Sequence, residues 1–368
     1  MKKKIRIGIL FGGKSAEHEV SLLSAKNIVN ALNKDKYEPV LIGITKEGKW
    51  QLENKESLSL KASSTKLLSL KSSDNTMAVI PDSKDKQLVF LGGIKTEEPL
   101  DVVFPILHGP FGEDGTIQGL LKIMGVPFVG PSVMASAIGM DKEVAKRLWR
   151  DAGIPVAKFL VFRDHEKNEI SFSKVKRELG LPLFVKPSNL GSSVGVSKVY
   201  NEKEFKLAIR EAFKYDVKIL IEESVKGREI ECSVLGNEDP IVSVPGEVIP
   251  QDEFYSYEAK YIDENGAVLD IPAKLSKKEE KDIKGLAIKA FRTICCEGMA
   301  RVDFFLTDKG RVIINELNTI PGFTNISMYP KLWQMSGIPY SKLIDILINL
   351  AISRHKKEKK LKTTIHEI

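Results

Sequence analysis

The sequence is poor in cysteine and has no long apolar run. Its 368 residues include only three cysteines, Cys232, Cys295 and Cys296. Adjacent cysteines are a poor disulfide pair and none of the three has metal-ligand spacing, so we expect reduced thiols. The chain lacks a run of about 18 apolar residues, and the apolar part of its N-terminal MKKKIRIGILFGG is too short for a signal peptide. These absences predict a cytoplasmic protein that does not enter a membrane.

The excess of positive charge is confined to the two chain ends. Residues 1–6 and residues 353–368 each contribute +4 to the formal net charge of +7, which leaves −1 for the body. Basic ends are usually solvated, and no basic stripe with interleaved aromatic residues is present. We therefore expect no nucleic-acid partner, although a basic nucleic-acid-binding protein remains the non-enzyme alternative.

No internal repeat is visible, and 42% hydrophobic with 29% charged residues is typical of a globular protein with two or three domains. Strand, glycine-turn and helix patterns alternate in the first third, as in an α/β unit, and two α+β patterns follow. The Ser- and Lys-rich residues 51–75 are predicted to be irregular, and no function is assigned to 51–98. The expected domains are 1–125, 126–225 and 226–368, the last with a loop over about 246–266.

One hairpin carries polar residues where buried strands would hold only apolar ones. In RVDFFLTDKGRVIINELNTIPGFT, residues 307–310 form a plausible tight turn between two strands. The predicted register pairs Leu306 with Arg311, Asp303 with Ile314, and Arg301 with Glu316. Alternation then divides the hairpin into a polar face (Arg301, Asp303, Glu316 and Asn318) and an apolar face (Val302, Phe304, Ile313 and Leu317).

The polar face has the donor set of a hard-metal site. Two carboxylates and an amide oxygen on neighbouring strands favour Mg²⁺ or Mn²⁺ over zinc, and such ions commonly bridge phosphate oxygens. The alternative is a solvated hairpin face with scattered charges.

A glycine loop and an acidic strand end suggest nucleotide binding. VKPSNLGSSVGVSKV places small residues between two strands after Lys186, although a plain glycine hairpin would look the same. Neither this loop nor the N-terminal GILFGGKS matches a Walker or dinucleotide motif. LIEESVKGREIE carries Glu222 and Glu229 on an extended segment that could read adenine and ribose, while surface acids are the commoner explanation.

Seven ordered blocks give the chain a resemblance to one family. They are FGGKSAEHEVSLLSA, HGPFGEDGTIQG, GMDK, FVKPSNLGSSVGVSKV, YEAKY, ARVDFF and NELNTIPGFT. With them the chain resembles the D-alanine–D-alanine ligases of the ATP-grasp superfamily, except over residues 51–98 and about the last fifteen. The resemblance implies an α/β domain followed by two α+β domains that clasp ATP.

The resemblance also implies roles for individual residues. For ATP it implies phosphate contacts by Lys142, Lys186 and the loop residue Lys260, an adenine hinge at Glu222 and a ribose contact by Glu229. For two Mg²⁺ or Mn²⁺ ions it implies Asp303, Glu316 and Asn318. For catalysis and the first D-alanine it implies Glu17, His108, Ser192, Tyr261, Arg301 and the Gly322 N–H, and for the second D-alanine Ser327 and Met328.

The implied reaction passes through D-alanyl phosphate and yields D-alanyl-D-alanine for peptidoglycan synthesis. The segment from Tyr257 to Tyr261 favours an amine acceptor over D-lactate. A D-alanine–D-lactate or D-alanine–D-serine ligase, or another ATP-grasp carboxylate–amine ligase, remains the alternative. Both Glu17 and His108 also have a purely structural interpretation. Glu17 could be an acid in the first helical turn that the helix dipole favours, and His108 could be a loop histidine with its hydrogen bonds satisfied. The family resemblance also implies a homodimer.

Overall fold

The computed structural model describes residues 3–53, 76–80, 88–90, 98–250 and 267–362. Its strands are β1 (Ile5–Gly12), β2 (Tyr37–Ile44), β3 (Trp50–Glu53), β4 (Met77–Val79), β5 (Leu88–Phe90), β6 (Val102–Ile106), β7 (Phe159–Arg163), β8 (Leu183–Pro187), β9 (Ser197–Val199), β10 (Lys218–Glu223), β11 (Arg228–Gly236), β12 (Ile241–Val242), β13 (Gly246–Pro250), β14 (Ala267–Asp270), β15 (Gly298–Leu306) and β16 (Val312–Asn318). Its helices are α1 (His18–Ala31), α2 (Thr116–Ile123), α3 (Val133–Met140), α4 (Lys142–Asp151), α5 (Phe172–Leu179), α6 (Glu202–Ala212), α7 (Lys277–Thr293), α8 (Met328–Met335) and α9 (Tyr340–Glu358), with a 3₁₀ turn at Asp164–Glu169.

The first sheet has the order β3-β2-β1-β6 and is parallel except for β3. Its inner strand β1 is apolar and almost entirely buried, as a parallel strand covered on both faces requires. Of the stretch predicted to be irregular, residues 51–53 complete β3, and the remainder of 51–75 lies outside the described residues.

Two antiparallel sheets follow. One has the order β7-β10-β8-β9, and the other has the order β14-β13-β11-β15-β16 with β12 beside β11. The helix expected near 276–297 is α7, which begins with a capping box between Ser276 and Glu279. The predicted combination of one α/β unit and two α+β units is confirmed, while the exact domain limits stay a prediction.

The start of the predicted loop over 246–266 is wrong. Residues 246–250 form β13, because their apolar residues pair with β11 on one side and β14 on the other. Residues 251–266, with Tyr257, Lys260 and Tyr261, lie outside the described residues.

Apolar cores tie the sheets together across the chain order. Trp333 and Leu347, on the last two helices, pack in one core with Ile9 and Phe104 of the first sheet. Trp149 of α4 packs instead with the third sheet and α7. The first of these cores joins the first sheet to the end of the chain, and the second joins α4 to the third sheet.

Across the described ranges, no single helix is long and apolar enough to cross a membrane. α8 and α9 pass that test of length and composition only as a pair, which is bent by 105°.

Candidate active site

The β15–β16 hairpin has a different register from the predicted one. Its pairs are Leu306–Val312, Phe305–Ile313, Phe304–Ile314, Asp303–Glu316, Val302–Leu317 and Arg301–Asn318. The predicted partners of Leu306, Asp303 and Arg301 are therefore wrong. Asn315 has no partner strand residue opposite it, so it is the extra residue of a bulge between the two halves of the hairpin.

The bulge keeps Glu316 and Asn318 on the polar face of the hairpin. A one-residue shift alone would turn Glu316 and Asn318 to the core, because side chains alternate along a strand. The extra residue at Asn315 turns them back to the side of Asp303. The prediction that Ile313 lies on the apolar face is wrong, because Ile314 takes that place in the core.

The polar face is held together by one guanidinium. Arg301 donates from Nε and an Nη to the two carboxylate oxygens of Asp303 at 2.8 and 2.7 Å, and its Nε lies 2.9 Å from Glu231. Asn318 donates its amide to Asp303 at 2.9 Å. Because Glu231 pairs with Asp303 across β11 and β15, a further carboxylate joins this face.

These donors fit magnesium bound together with phosphate oxygens. In the part of the chain that the structure describes, no three His, Cys, Asp or Glu side chains converge into a metal cage. Magnesium, however, is usually held by one or two carboxylates with substrate phosphates and water completing the octahedron. Asp303 and Glu316, paired across the strands, would supply those carboxylates, and Asn318 would supply an amide oxygen.

A cleft opens over this face. The predicted residues that line it are Glu17, His108, Ser192, Glu229, Arg301, Asp303, Glu316, Asn318, Gly322, Ser327 and Met328. The cleft therefore brings together most of the predicted site from all three units.

Glu17 and Ser192 meet at one end of the cleft. The glycine loop between β8 and β9 turns sharply, with left-handed φ values of 52° at Ser192 and 61° at Ser193. This turn lets the Ser192 hydroxyl donate to the Glu17 carboxylate, which stands just before α1. Glu17 is buried, as a carboxylate that receives a substrate ammonium would be.

His108 is buried beside this end. Its Nδ1 is 3.1 Å from the Ile320 carbonyl and its Nε2 is 3.4 Å from the Ser24 hydroxyl. Burial lowers the pKa of His108 and outweighs the opposing charge of Glu17, so the imidazole is neutral at pH 7.

The residues predicted for the second D-alanine also line the cleft. Gly322 has no room for a side chain, since an added Cβ would lie 2.7 Å from the Ser327 hydroxyl oxygen. That hydroxyl accepts from the Thr324 N–H at 2.9 Å and so closes the turn before α8. Met328 lines the cleft and also packs in a small core with Val248 and Leu332.

The predicted phosphate-binding lysines form a cluster beside the cleft. Glu222 is paired with Lys186 and, at 2.7 Å, with Lys146. Burial alone would raise the pKa of Glu222, but these two ammonium groups lower it below its usual range. Lys142 lies 3.8 Å from Glu316. The Glu222 carboxylate is thus engaged with lysines, and its role at an adenine hinge stays a prediction.

A second ionic group fixes the start of α4, the helix that begins with Lys142. Lys218 of β10 donates to both carboxylate oxygens of Asp141 at 2.8 and 2.6 Å and to Glu143 at 2.7 Å. Asp141 also accepts from the Ser188 hydroxyl at 2.9 Å and caps α4 at the Val144 N–H. Burial opposes ionisation of Asp141, yet Lys218 and these hydrogen bonds hold its pKa below the ordinary value.

Three polar residues of this region were outside the predicted site: Glu113, Glu231 and Lys146. Glu231 stands two residues after Glu229, so strand alternation could have placed both on one face. Lys146 follows Lys142 by four residues on one helix, which puts the two side chains on the same side. Glu113 gave no such signal, since it lies in the irregular loop before α2.

We expect the stability of the protein to fall as pH rises because of Glu113. Partial burial and the facing Glu17 raise the pKa of Glu113 to about 8, from an ordinary 4.5, despite the nearby Arg301. Between these pH values the folded state holds a proton that the unfolded state has lost, so the free energy of unfolding decreases with pH. Urea unfolding at pH 6 and 8.5 should show a smaller decrease in Glu113→Gln than in the parent. Equal decreases would contradict this account.

The comparisons with known proteins cover both halves of the chain. The family model "D-ala D-ala ligase N-terminus" matches residues 6–131, and "D-ala D-ala ligase C-terminus" matches residues 148–349. Among curated proteins, the D-alanine--D-alanine ligase of Oceanobacillus iheyensis is 55% identical over 364 residues, which is 99% of each chain. D-alanine--D-alanine ligase A of Escherichia coli K12 is 50% identical over 99% of this chain and 100% of its own length.

Solved structures show the same architecture. The D-alanine-D-alanine ligase from Coxiella burnetii superimposes with a TM-score of 0.85 at 39% identity, over 97% of this chain and 96% of that one. The VanG D-Ala:D-Ser ligase from Enterococcus faecalis gives 0.81 at 34% identity, over 95% of this chain and 100% of that one. By its sequence and its three-unit fold, the chain belongs to the D-alanine–D-alanine ligase family.

Proposed function

We propose that this protein uses ATP to join two D-alanines into D-alanyl-D-alanine for peptidoglycan synthesis. The observation that carries the proposal is the single cleft in which the buried Glu17–Ser192 pair faces Arg301 and the acidic hairpin. One end suits a small ammonium group, and the other suits phosphate with metal ions. An amino acid bound between them presents its carboxylate to a nucleotide.

In the first half-reaction, the Glu17 carboxylate holds the ammonium of the first D-alanine. The carboxylate of this D-alanine then points towards Arg301 and attacks the γ-phosphorus of ATP. The attack forms D-alanyl phosphate and releases ADP. Lys142 and Lys186 lie beside the acidic face, where they would neutralise the phosphates. Placing the reacting oxygen in line is most of what such a site must do.

Two Mg²⁺ or Mn²⁺ ions complete this half of the site in the proposal. Asp303, Glu316 and Asn318 would hold them, and the ions would supply positive charge that offsets the charge developing in phosphoryl transfer. The carboxylates of Asp303 and Glu316 share this face with Glu231. The face therefore carries more negative charge than Arg301 alone balances.

In the second half-reaction, the amine of a second D-alanine attacks the acyl carbon. The amine loses a proton, the carbonyl oxygen becomes an oxyanion, and phosphate leaves as the carbonyl re-forms. Arg301 and the Gly322 N–H are the donors that would stabilise the oxyanion. Ser327, whose hydroxyl lies beside Gly322, would meet the carboxylate of this second substrate.

The identity of the acceptor is the finer part of the proposal. Curated D-alanine--D-alanine ligases match this chain with up to 55% identity over nearly its full length, which supports D-alanine as the acceptor. The fold alone does not discriminate, because both kinds of ligase share it. The segment predicted to select the acceptor, from Tyr257 to Tyr261, lies outside the described residues.

The test is a product analysis by mass. The protein is incubated with ATP and magnesium and with D-alanine, L-alanine, or D-alanine mixed with D-lactate or D-serine. We expect D-alanyl-D-alanine from D-alanine alone, no product from L-alanine and little mixed product at neutral pH. A dominant mixed product would reassign the acceptor, and the absence of any D-amino-acid product would refute the ligase.

We expect Glu17→Gln to lower kcat/KM for D-alanine about 100-fold, because a buried ion pair with the substrate ammonium is worth roughly 3 kcal/mol. The KM for ATP should not change, since Glu17 lies at the amino-acid end. Glu19→Gln is a matched control: Glu19 stands two residues on and pairs with Lys46 at 2.6 Å, outside the cleft. Equal losses in both variants would remove Glu17 from the substrate site.

We also propose that the protein acts as a homodimer in the cytoplasm, where ATP is supplied. The family resemblance supports the dimer, and exposed apolar side chains such as Phe111, Ile123 and Met134 are available for a contact. Light scattering of the purified protein tests the dimer, and a monomer at micromolar concentration would contradict it.

A further inference from the structure

Glu113 joins two segments that approach the cleft from opposite units. One carboxylate oxygen accepts from the Gly109 N–H at 2.9 Å, within its own loop before α2. The other accepts from the Ile320 N–H at 3.1 Å, in the segment that follows β16. The two acceptors of one carboxylate therefore hold the backbones of the first and third units together.

Both backbone groups of Ile320 are held by this loop. While its N–H donates to Glu113, its carbonyl oxygen lies 3.1 Å from Nδ1 of His108. The Thr319 hydroxyl adds a longer contact of 3.4 Å to the Glu113 carbonyl. Gly322, whose N–H is the proposed oxyanion donor, follows Ile320 by only two residues. A shift of Ile320 would therefore move the donor and His108 together.

We propose that Glu113 is a positioning residue for acyl transfer: its carboxylate bridges the Gly109 and Ile320 N–H groups and sets Gly322 against the acyl carbon. The inference rests on the proposed ligase function. The length of the side chain decides whether it can bridge the two N–H groups, because the two donors are fixed in different units. Catalytic geometry is sensitive to such shifts, because a displacement of about 1 Å can cost roughly 100-fold in rate.

Two variants test whether both acceptors are needed. Glu113→Asp keeps the carboxyl group but shortens it by one methylene, so that it meets one N–H and not both. Glu113→Gln keeps the length, but its amide nitrogen has no lone pair to accept the second N–H. If Glu113 acts by bridging, both variants fail; if one acceptor suffices, both keep near-parent kcat.

Asp114→Asn is the matched control. Asp114 is the next residue and accepts from the Phe111 and Thr116 N–H groups at 2.8 and 3.0 Å, all within the loop. Among the described residues its side-chain hydrogen bonds stay within the loop, so it tests the loop without the bridge. We expect its kcat to stay near that of the parent.

The experiment measures kcat, the KM for D-alanine and the KM for ATP, with thermal unfolding, in the full-length protein. We expect kcat to fall about 100-fold in both Glu113→Asp and Glu113→Gln, with the KM for ATP within about twofold of the parent. Near-parent kcat in Glu113→Asp, a parallel rise in the KM for ATP, or an equal loss in Asp114→Asn would overturn the proposal. If Glu113→Gln does not fold, Glu113→Asp decides. An inactive parent would instead refute the proposed function.

Discussion

Glu316→Gln should lower the rate of dipeptide formation by at least about 1000-fold, the largest loss that we expect from a single side chain. The change removes one of the two carboxylates proposed to hold the metal ions against the phosphates. It also removes the charge opposite Lys142, 3.8 Å away. The carboxamide has nearly the same shape and opens no cavity, so the melting temperature should stay within a few degrees of the parent's.

Asp308→Asn is the matched control for this change. It makes the same substitution of an amide for an acid in the exposed turn of the same hairpin. Phosphate release and thermal unfolding are measured for both variants over a magnesium titration. Near-parent turnover in Glu316→Gln would show that the acidic face is not the metal site. A large fall in its melting temperature would show that the carboxylate supports the fold instead.

Lys218→Met should lower the free energy of unfolding by about 3–5 kcal/mol, because breaking a buried ion pair leaves uncompensated charge. The Lys218 ammonium holds both Asp141 and Glu143, and its side chain is only 8% exposed. Asp141 caps the helix that begins with Lys142. A looser cap should displace Lys142, so the KM for ATP should rise along with the loss of stability.

Lys214→Met is the control for Lys218→Met. Lys214 pairs with Glu211 on an exposed helix end, where an ion pair contributes little, so no measurable change is expected. Adding Glu143→Gln to Lys218→Met should restore part of the stability, because one uncompensated charge is removed. Urea unfolding that shows equal effects for Lys214→Met and Lys218→Met would contradict the buried role of Lys218.

The parts that sequence predicted well depend on local patterns. Alternation along β15 and β16 placed Arg301, Asp303, Glu316 and Asn318 on one face, and the structure confirms that face. The register failed first at the turn, where Leu306 pairs with Val312 and the loop is one residue longer than predicted, and the bulge at Asn315 then shifts the pairing once more. The face survived only because the one-residue difference in pairing and the extra residue at Asn315 offset each other.

The parts that sequence missed depend on contacts between distant segments. Glu113 is 207 residues from its partner Ile320, and no spacing rule links an irregular loop to the end of a strand. Lys218 is 77 residues from Asp141, which it pairs only because β10 runs beside the loop after β8. The predicted adenine-hinge role of Glu222 rested on its position at the end of a strand. In the structure its carboxylate pairs with Lys146 and Lys186.

The most direct test of the central claim is the fate of oxygen from the substrate carboxylate. D-alanine labelled with ¹⁸O in both carboxylate oxygens is incubated with ATP and magnesium, and the phosphate and the peptide are analysed by mass. If D-alanyl phosphate is the intermediate, each dipeptide formed is accompanied by one phosphate that carries one ¹⁸O. Unlabelled phosphate released with the dipeptide would contradict activation of the carboxylate by phosphoryl transfer.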